Sequence, residues 1–191
     1  MHYMIEILNT LLSPLENIIT KYREVLRWFL LTLSFFALFL IFFPHQQRDT
    51  GSQAYDVLFV ILFLPIAARV IGLSLAQALM PLRKELGILM GVLAWVHSAI
   101  YMLGYSGFLF DPYFWWDNGF VTYLAMGFVA LVLITPLLLT SSNLAIKLLG
   151  KKWKLLHRTV YFVAIFTVLH VILIQWARRQ SIDYGTLALL S

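Results

Sequence analysis

The feature that most constrains this 191-residue chain is a series of long apolar runs that contain almost no charge. Hydrophobic residues make up 61% of the chain and charged residues only 12%, whereas a soluble domain carries about 25% charged residues. Roughly 20 apolar residues are enough to cross the hydrocarbon core of a bilayer. The sequence therefore predicts an all-α fold, a polytopic membrane helix bundle in direct contact with lipid.

The apolar runs divide the chain into about five transmembrane helices. The predicted spans are residues 28–43, 55–69, 86–103, 120–139 and 159–176, with Pro44 ending the first and Arg69 marking the inner end of the second. Residues 25–180 then form the bundle, and residues 181–191 are a short tail. Residues 1–24 have apolar side chains at helical spacing and predict an amphipathic interfacial helix. Ser13 and Pro14 are typical of a helix start within that segment.

The basic residues predict the orientation of the bundle. An N-terminus on the cytoplasmic side places 11 Lys and Arg residues inside and three outside, namely Arg48, Arg178 and Arg179. Cytoplasmic loops of membrane proteins carry such an excess, so we expect a multi-pass protein with a cytoplasmic N-terminus, typical of a bacterial inner membrane. The same rule accounts for the net charge of +5, and no nucleic-acid partner is expected.

Two histidines lie inside predicted spans, where ionisable residues usually serve a function. His97 lies in the third span and His170 in the fifth. At 1.5 Å per residue, both lie about 15–20 Å above the inner ends of their helices. Two imidazoles at one depth suit the axial ligands of a heme held between helices. The alternative is a pair of histidines that only form hydrogen bonds across the helices.

A second site depends on His157, at the inner mouth of the fifth span. His157 precedes His170 by 13 residues, which is about 19 Å along a helix and suits a second heme nearer the cytoplasm. On an ideal helix, however, the two side chains point about 140° apart. The alternative is an interfacial residue beside Lys154 and Arg158. Arg69 can pair with a heme propionate or extend to a lipid phosphate.

Two further features allow two interpretations each. Small residues recur along the third span at Gly87, Gly91, Ala94 and Ser98, which favours either close helix packing or the approach of a heme face. The outer loop 105–119 is rich in aromatic residues, which are typical of the membrane interface or of a docking surface for an outer partner.

Two stretches of the sequence resemble the ferric reductase-like transmembrane family. The first contains residues 82–87, LRKELG, and 94–101, AWVHSAIY; the second contains Thr140-Ser141-Ser142, then residues 149–161, LGKKWKLLHRTVY, and His170. The resemblance covers roughly residues 55–176. Within the family, the chain is most similar to the heme-binding subunits of bacterial methionine-sulfoxide reductase systems, the MsrQ or YedZ type.

The resemblance implies b-type heme, one or two per chain, with His97, His157 and His170 as ligands. It also implies electron transfer from the inner side, from a separate cytoplasmic flavin reductase or from quinol, to an outer redox acceptor such as a periplasmic methionine-sulfoxide reductase. FMN or quinone is a further cofactor to consider. Relatives among the NADPH oxidases carry another histidine where this chain has Tyr101, which leaves a second bis-histidine heme without its partner.

Two other functions remain open from the sequence. The chain can be a self-contained transmembrane ferric or oxygen reductase, or it can be a non-redox transporter or scaffold in which the histidines relay protons. The absence of cysteine excludes iron–sulfur clusters, thiolate-ligated heme and covalently attached heme. An electron-transfer subunit of an oxidoreductase system is the function that the sequence favours.

Overall fold

The computed structural model describes residues 2–43, 47–104 and 122–188, and this part of the chain is helical throughout apart from short turns. The α-helices are α1 His2–Lys21, α2 Arg23–Ala37, α3 Gln47–Ile66, α4 Ser74–Leu79, α5 Arg83–Gly104, α6 Thr122–Leu139, α7 Asn143–Leu149, α8 Lys151–His157 and α9 Val160–Ala188. The 3-10 segment Leu38–Phe42 extends α2, and the π segment Ala67–Ile71 extends α3. The 3-10 turn Met80–Leu82 joins α4 to α5. The predicted all-α class is confirmed.

Four helical segments in the described ranges are long and apolar enough to cross a membrane: Arg23–Phe42, Asp49–Ile71, Ser74–Leu103 and Lys151–Ala177. A fifth is bent by 93° between Tyr123–Leu139 and Asn143–Leu149. The predicted bundle of about five spans is therefore confirmed. Large apolar side chains point outward along these segments, as in Phe36, Phe63 and Phe162, which are 59%, 56% and 58% exposed. Such a surface is stable in lipid and not in water.

The N-terminal helix differs from the prediction in one respect. Ser13 and Pro14 do not start a helix, because α1 is continuous from His2 to Lys21 and Pro14 lies inside it. Proline cannot donate to the carbonyl four residues earlier, which here is that of Thr10. The Ser13 hydroxyl donates to this same oxygen at 2.9 Å, so the helix passes through the proline without leaving that acceptor unpaired.

The second span ends in a turn that is closed by backbone and side-chain hydrogen bonds. The π segment terminates at Gly72, whose φ of 78° lies in the left-handed region that favours glycine. The Leu73 amide then donates to the Ala67 carbonyl at 2.9 Å, and the Gln77 side chain donates to the Ala68 carbonyl at 3.2 Å. These bonds satisfy carbonyls that the helix end leaves free. The span ends at Ile71, two residues beyond the predicted inner end at Arg69.

The motif at residues 140–142 lies between the end of α6 and the start of α7. The hydroxyls of Thr140 and Ser141 donate to the carbonyls of Pro136 and Leu137, each at 2.6 Å. Ser142 caps α7, since its hydroxyl accepts from the backbone amide of Ala145 at 3.0 Å. This part of the sequence thus sets the 93° bend at the C-terminal end of α6.

The bundle is built from two pairs of helices. The most extensive packing in the described chain is between α3 and α5 and between α6 and α9, while α5 also contacts α6 and α2 packs on α5. The core between the pairs is apolar and contains Leu58, Met90, Ile134 and Val163. Because the start of α3 and the end of α5 lie together, as do the start of α6 and the middle of α9, each pair is antiparallel.

Candidate functional site

A cavity of about 790 Å³ lies between the two helix pairs, on the side where α3 and α6 begin. Its size falls within the range of roughly 300–1,000 Å³ that is usual for ligand and cofactor sites. His97 from α5 and His170 from α9 both line it. The remaining lining is mainly apolar or aromatic, and it includes Ala94 and Ser98 from the small-residue stripe of the third span. The structure therefore brings together two histidines from separate spans.

The hydrogen bonding of His170 leaves one of its ring nitrogens available. Nδ1 of His170 lies 2.5 Å from the backbone carbonyl oxygen of Tyr123, at the start of α6. A carbonyl oxygen can only accept, so Nδ1 carries the proton and donates it, and Nε2 of the neutral ring keeps its lone pair. A backbone carbonyl is a common partner for metal-bound histidine, because it fixes both the tautomer and the ring orientation.

His97 has the corresponding position on the other helix pair, α3 and α5. Its ring lies 6.1 Å from that of Tyr101, centroid to centroid, with the two planes inclined by 58°. Tyr101, one turn further along α5, also lines the cavity. An aromatic side chain thus lies next to the His97 ring in the cavity.

Each histidine lies against a glycine of the paired helix, which the sequence did not indicate. A Cβ atom built on Gly51 of α3 would lie 2.8 Å from both Cε1 and Nδ1 of His97. A Cβ atom built on Gly127 of α6 would lie 2.8 Å from the same two atoms of His170. Gly127 lies in an apolar run and Gly51 lies among polar residues at the start of α3, and the residue that each faces depends on how the helices pack.

His157 lies outside this cavity, at the end of α8. Its ring stacks on that of Trp153, with centroids 4.0 Å apart and planes inclined by 26°. Nδ1 lies 3.2 Å from the Trp153 carbonyl oxygen, and Nε2 is buried without a hydrogen-bond partner. Arg158 and Thr159 interrupt the helix after His157 with bonds to residues three positions earlier. The predicted angle of about 140° between the His157 and His170 side chains assumed one continuous ideal helix. The chain does not form such a helix here.

Arg69 is exposed and is not among the described residues that line the cavity. It lies on the π segment at the C-terminal end of the second span, so a contact with a heme propionate in the His97–His170 cavity is not supported by its position. The aromatic loop 105–119 lies outside the described residues.

A buried ion pair at the start of α5 was also not indicated by the sequence. The Glu85 side chain is only 1% exposed, and its Oε1 accepts from Nε of Arg27 in α2 at 3.0 Å. The Lys84 ammonium lies 3.7 Å from the same oxygen, and Oε2 of Glu85 is buried without a hydrogen-bond partner. A carboxylate removed from water requires such cations, and the pair ties α2 to α5.

The fold and the paired histidines define a class: a multi-pass helical membrane protein with a two-histidine cavity between its spans. Comparison with known families agrees, since the ferric reductase like transmembrane component matches residues 50–168. That match covers more than half of the chain, so the chain belongs to this family.

Relatives within the family carry a more specific name. The chain is 36% identical over 109 residues to the protein-methionine-sulfoxide reductase heme-binding subunit MsrQ of Polaromonas naphthalenivorans, covering 51% of this chain and 45% of the relative. It is 36% identical over 124 residues to the MsrQ of Deinococcus radiodurans, covering 64% and 59%. The chain thus spans about half to three-fifths of the length of these relatives. No solved structure matches it.

Proposed function

We propose that this chain is a membrane protein that binds b-type heme and transfers electrons across the bilayer as a subunit of an oxidoreductase system. The observation that carries the proposal is that His97 and His170, from two separate spans, line one cavity. The hydrogen bond from Nδ1 of His170 to a backbone carbonyl supports it, because that bond leaves Nε2 free to bind a metal.

The residues present fit a heme. The donor set consists of two imidazoles on facing helices, which is the arrangement that helix bundles use for such cofactors. The mainly apolar lining suits the faces of a porphyrin, and the small side chains of Ala94 and Ser98 leave room for it. The absence of cysteine restricts the group to the non-covalent b type. When bound, heme supplies one-electron chemistry at its iron.

The side chains of the cavity have distinct tasks in this proposal. In this proposal His97 and His170 would hold the heme iron, and the Tyr123 carbonyl keeps His170 in the required tautomer. The apolar residues around them, including Leu58 and Ile134, exclude water. A dry cavity of this kind lowers the local dielectric constant and so contributes to the redox potential.

A second heme near the cytoplasmic side would use His157. Its buried Nε2 has no hydrogen-bond partner and is available as a ligand, while the stacked Trp153 ring and the Nδ1 contact fix the imidazole. The described part of the chain places no second histidine beside it. A heme at this level would therefore take one imidazole ligand from this chain.

The excess of basic residues on one side supports a cytoplasmic N-terminus in the bacterial inner membrane, with the His97–His170 cavity nearer the outer face. Electrons would then move outward, from a separate cytoplasmic flavin reductase or quinol to a redox protein outside. The names of the MsrQ relatives support a methionine-sulfoxide reductase as that acceptor.

The N-terminal helix is compatible with the same orientation. α1 packs on α4, next to the turn that ends the second span, and it exposes apolar side chains such as Met4, Leu11 and Ile18. These residues suit the headgroup region of the inner leaflet. Arg69, exposed at the same end of the second span, is placed to contact lipid phosphate.

The experiment that tests this function separates it from a self-contained reductase. The purified protein is reduced, freed of excess reductant, and mixed with a ferric chelate in the absence of any partner protein. We expect slow reoxidation, which becomes fast when a periplasmic methionine-sulfoxide reductase is added. Fast reoxidation by the chelate alone would favour a self-contained ferric reductase. Folded protein without colour from heme-replete cells would favour a transporter or scaffold.

A further inference from the structure

The two glycines that face the histidines are the starting point. Gly51 lies on α3 and faces His97 of α5, whereas Gly127 lies on α6 and faces His170 of α9. The same ring atoms, Nδ1 and Cε1, are nearest to the glycine in both cases, each 2.8 Å from the position that an added Cβ atom would take. The two helix pairs therefore share the same local arrangement of glycine and histidine.

Ordinary helix packing does not account for this arrangement. Where glycine serves only to bring helices together, the opposing group is commonly an aliphatic side chain, as at Gly91, whose added Cβ would meet Leu138 at 3.1 Å. At Gly87 an added Cβ would meet nothing within 4 Å. Gly51 and Gly127 differ from both, because the group against each of them is the imidazole that lines the cavity.

The contact determines which edge of each ring faces away from the glycine. The Nδ1 edge of each imidazole lies against the glycine, and Nε2 is not among the three nearest atoms. With alanine in place of glycine, the ring would have to retreat by about 0.6 Å to restore an ordinary contact of 3.4 Å. The interior is close-packed, so this retreat would turn the ring or push it into the cavity.

We propose that Gly51 and Gly127 are positioning residues that set the orientation of the His97 and His170 rings toward the heme. This inference rests on the proposed function, since it assigns the glycines a role in that same site. Neither glycine touches the iron. Each acts through its histidine, by leaving the space that the Nδ1 edge occupies.

The test compares four single variants: Gly51→Ala and Gly127→Ala, with Gly91→Ala and Gly87→Ala as matched controls. Heme per chain, the electron paramagnetic resonance spectrum of the oxidised heme and its midpoint potential are measured for each. We expect Gly51→Ala and Gly127→Ala to lose heme or to shift the g values and the potential. Gly87→Ala keeps the wild-type values, and Gly91→Ala keeps its g values even if it is less stable.

A double-variant comparison covers the case in which Gly51→Ala fails to fold with heme. Thermal unfolding is measured for Gly51→Ala in the wild-type background and in a His97→Ala background. If the imidazole is the group that the new methyl meets, the loss of stability disappears when the imidazole is absent. An equal loss in both backgrounds would overturn the inference.

The remaining outcomes separate the inference from the function on which it rests. Wild-type heme content, g values and potential in both Gly51→Ala and Gly127→Ala would overturn the positioning role and leave the heme function intact. A folded wild-type protein that takes up no heme would overturn the function and the inference together.

Discussion

Replacement of Asn9 by alanine should release the N-terminal helix from the bundle. The Asn9 amide bridges the turn after the second span: Nδ2 donates to the Gly72 carbonyl, and Oδ1 accepts from the Ser74 amide, both at 3.1 Å. These are contacts between residues more than 60 positions apart. Alanine removes both bonds and leaves the helix propensity of α1 intact or improved.

The magnitude follows from the number of bonds. Each hydrogen bond contributes a net of about 0.5–1.5 kcal/mol, so the loss of two weakens docking of α1 by roughly 1–3 kcal/mol. That corresponds to a change of about 5- to 150-fold in the docking equilibrium. Apolar contacts between α1 and α4 remain, so we expect more frequent release of α1 and not its complete loss.

Amide hydrogen exchange of the purified protein measures this release. In Asn9→Ala the amides of α1 and of the turn around Gly72 should exchange faster, whereas those of α5 and α9 are unchanged. Thr10→Ala is the matched control, because the Thr10 hydroxyl bonds only within its own helix, to the Glu6 carbonyl at 2.9 Å. Equal exchange in the Asn9 and Thr10 variants would refute the proposed bridge.

Three other substitutions test separate parts of the account. Trp153→Phe removes the indole donor to the Thr140 carbonyl, which lies at 2.9 Å, and should lower the free energy of unfolding by about 1 kcal/mol in a denaturation experiment. His157→Ala should lower the heme count from two to one per chain and keep the spectrum of the outer heme; an unchanged count would remove His157 from the ligands. Gly150→Ala should destabilise the protein by more than about 1 kcal/mol. Gly150 has a φ of 49° and a ψ of −121°, a conformation that other residues rarely adopt. Gly87→Ala is the control: Gly87 faces open space, so this change should not lower the melting temperature.

The sequence was sufficient for the fold class because the decisive signal is local. The length and apolarity of each run predict a transmembrane helix, and the described part of the chain has four such spans, or five with the bent pair. Errors occurred where two local signals compete. Pro14 favours both a helix start and a break, and only the hydrogen bond of Ser13 to the carbonyl of Thr10 shows how the helix continues.

The candidate site was predictable only in part, for a different physical reason. His97 and His170 could be selected because an imidazole in an apolar run is costly and their depths match. The partners of these rings, Gly51 and Gly127, depend on which helices pair and on their rotation, which no local pattern contains. The pair of Arg27 and Glu85 joins positions 58 residues apart and was hidden for the same reason.

The central claim, that His97 and His170 hold one heme, is tested most directly by the reduced-minus-oxidised visible spectrum of purified wild type, His97→Ala and His170→Ala, with heme counted per chain. The account predicts a sharp α band of low-spin b heme in the wild type. In each variant the count should fall by one heme per chain, with the bis-histidine signal lost. A spectrum and heme count that are unaltered in either variant would contradict the assignment of that histidine.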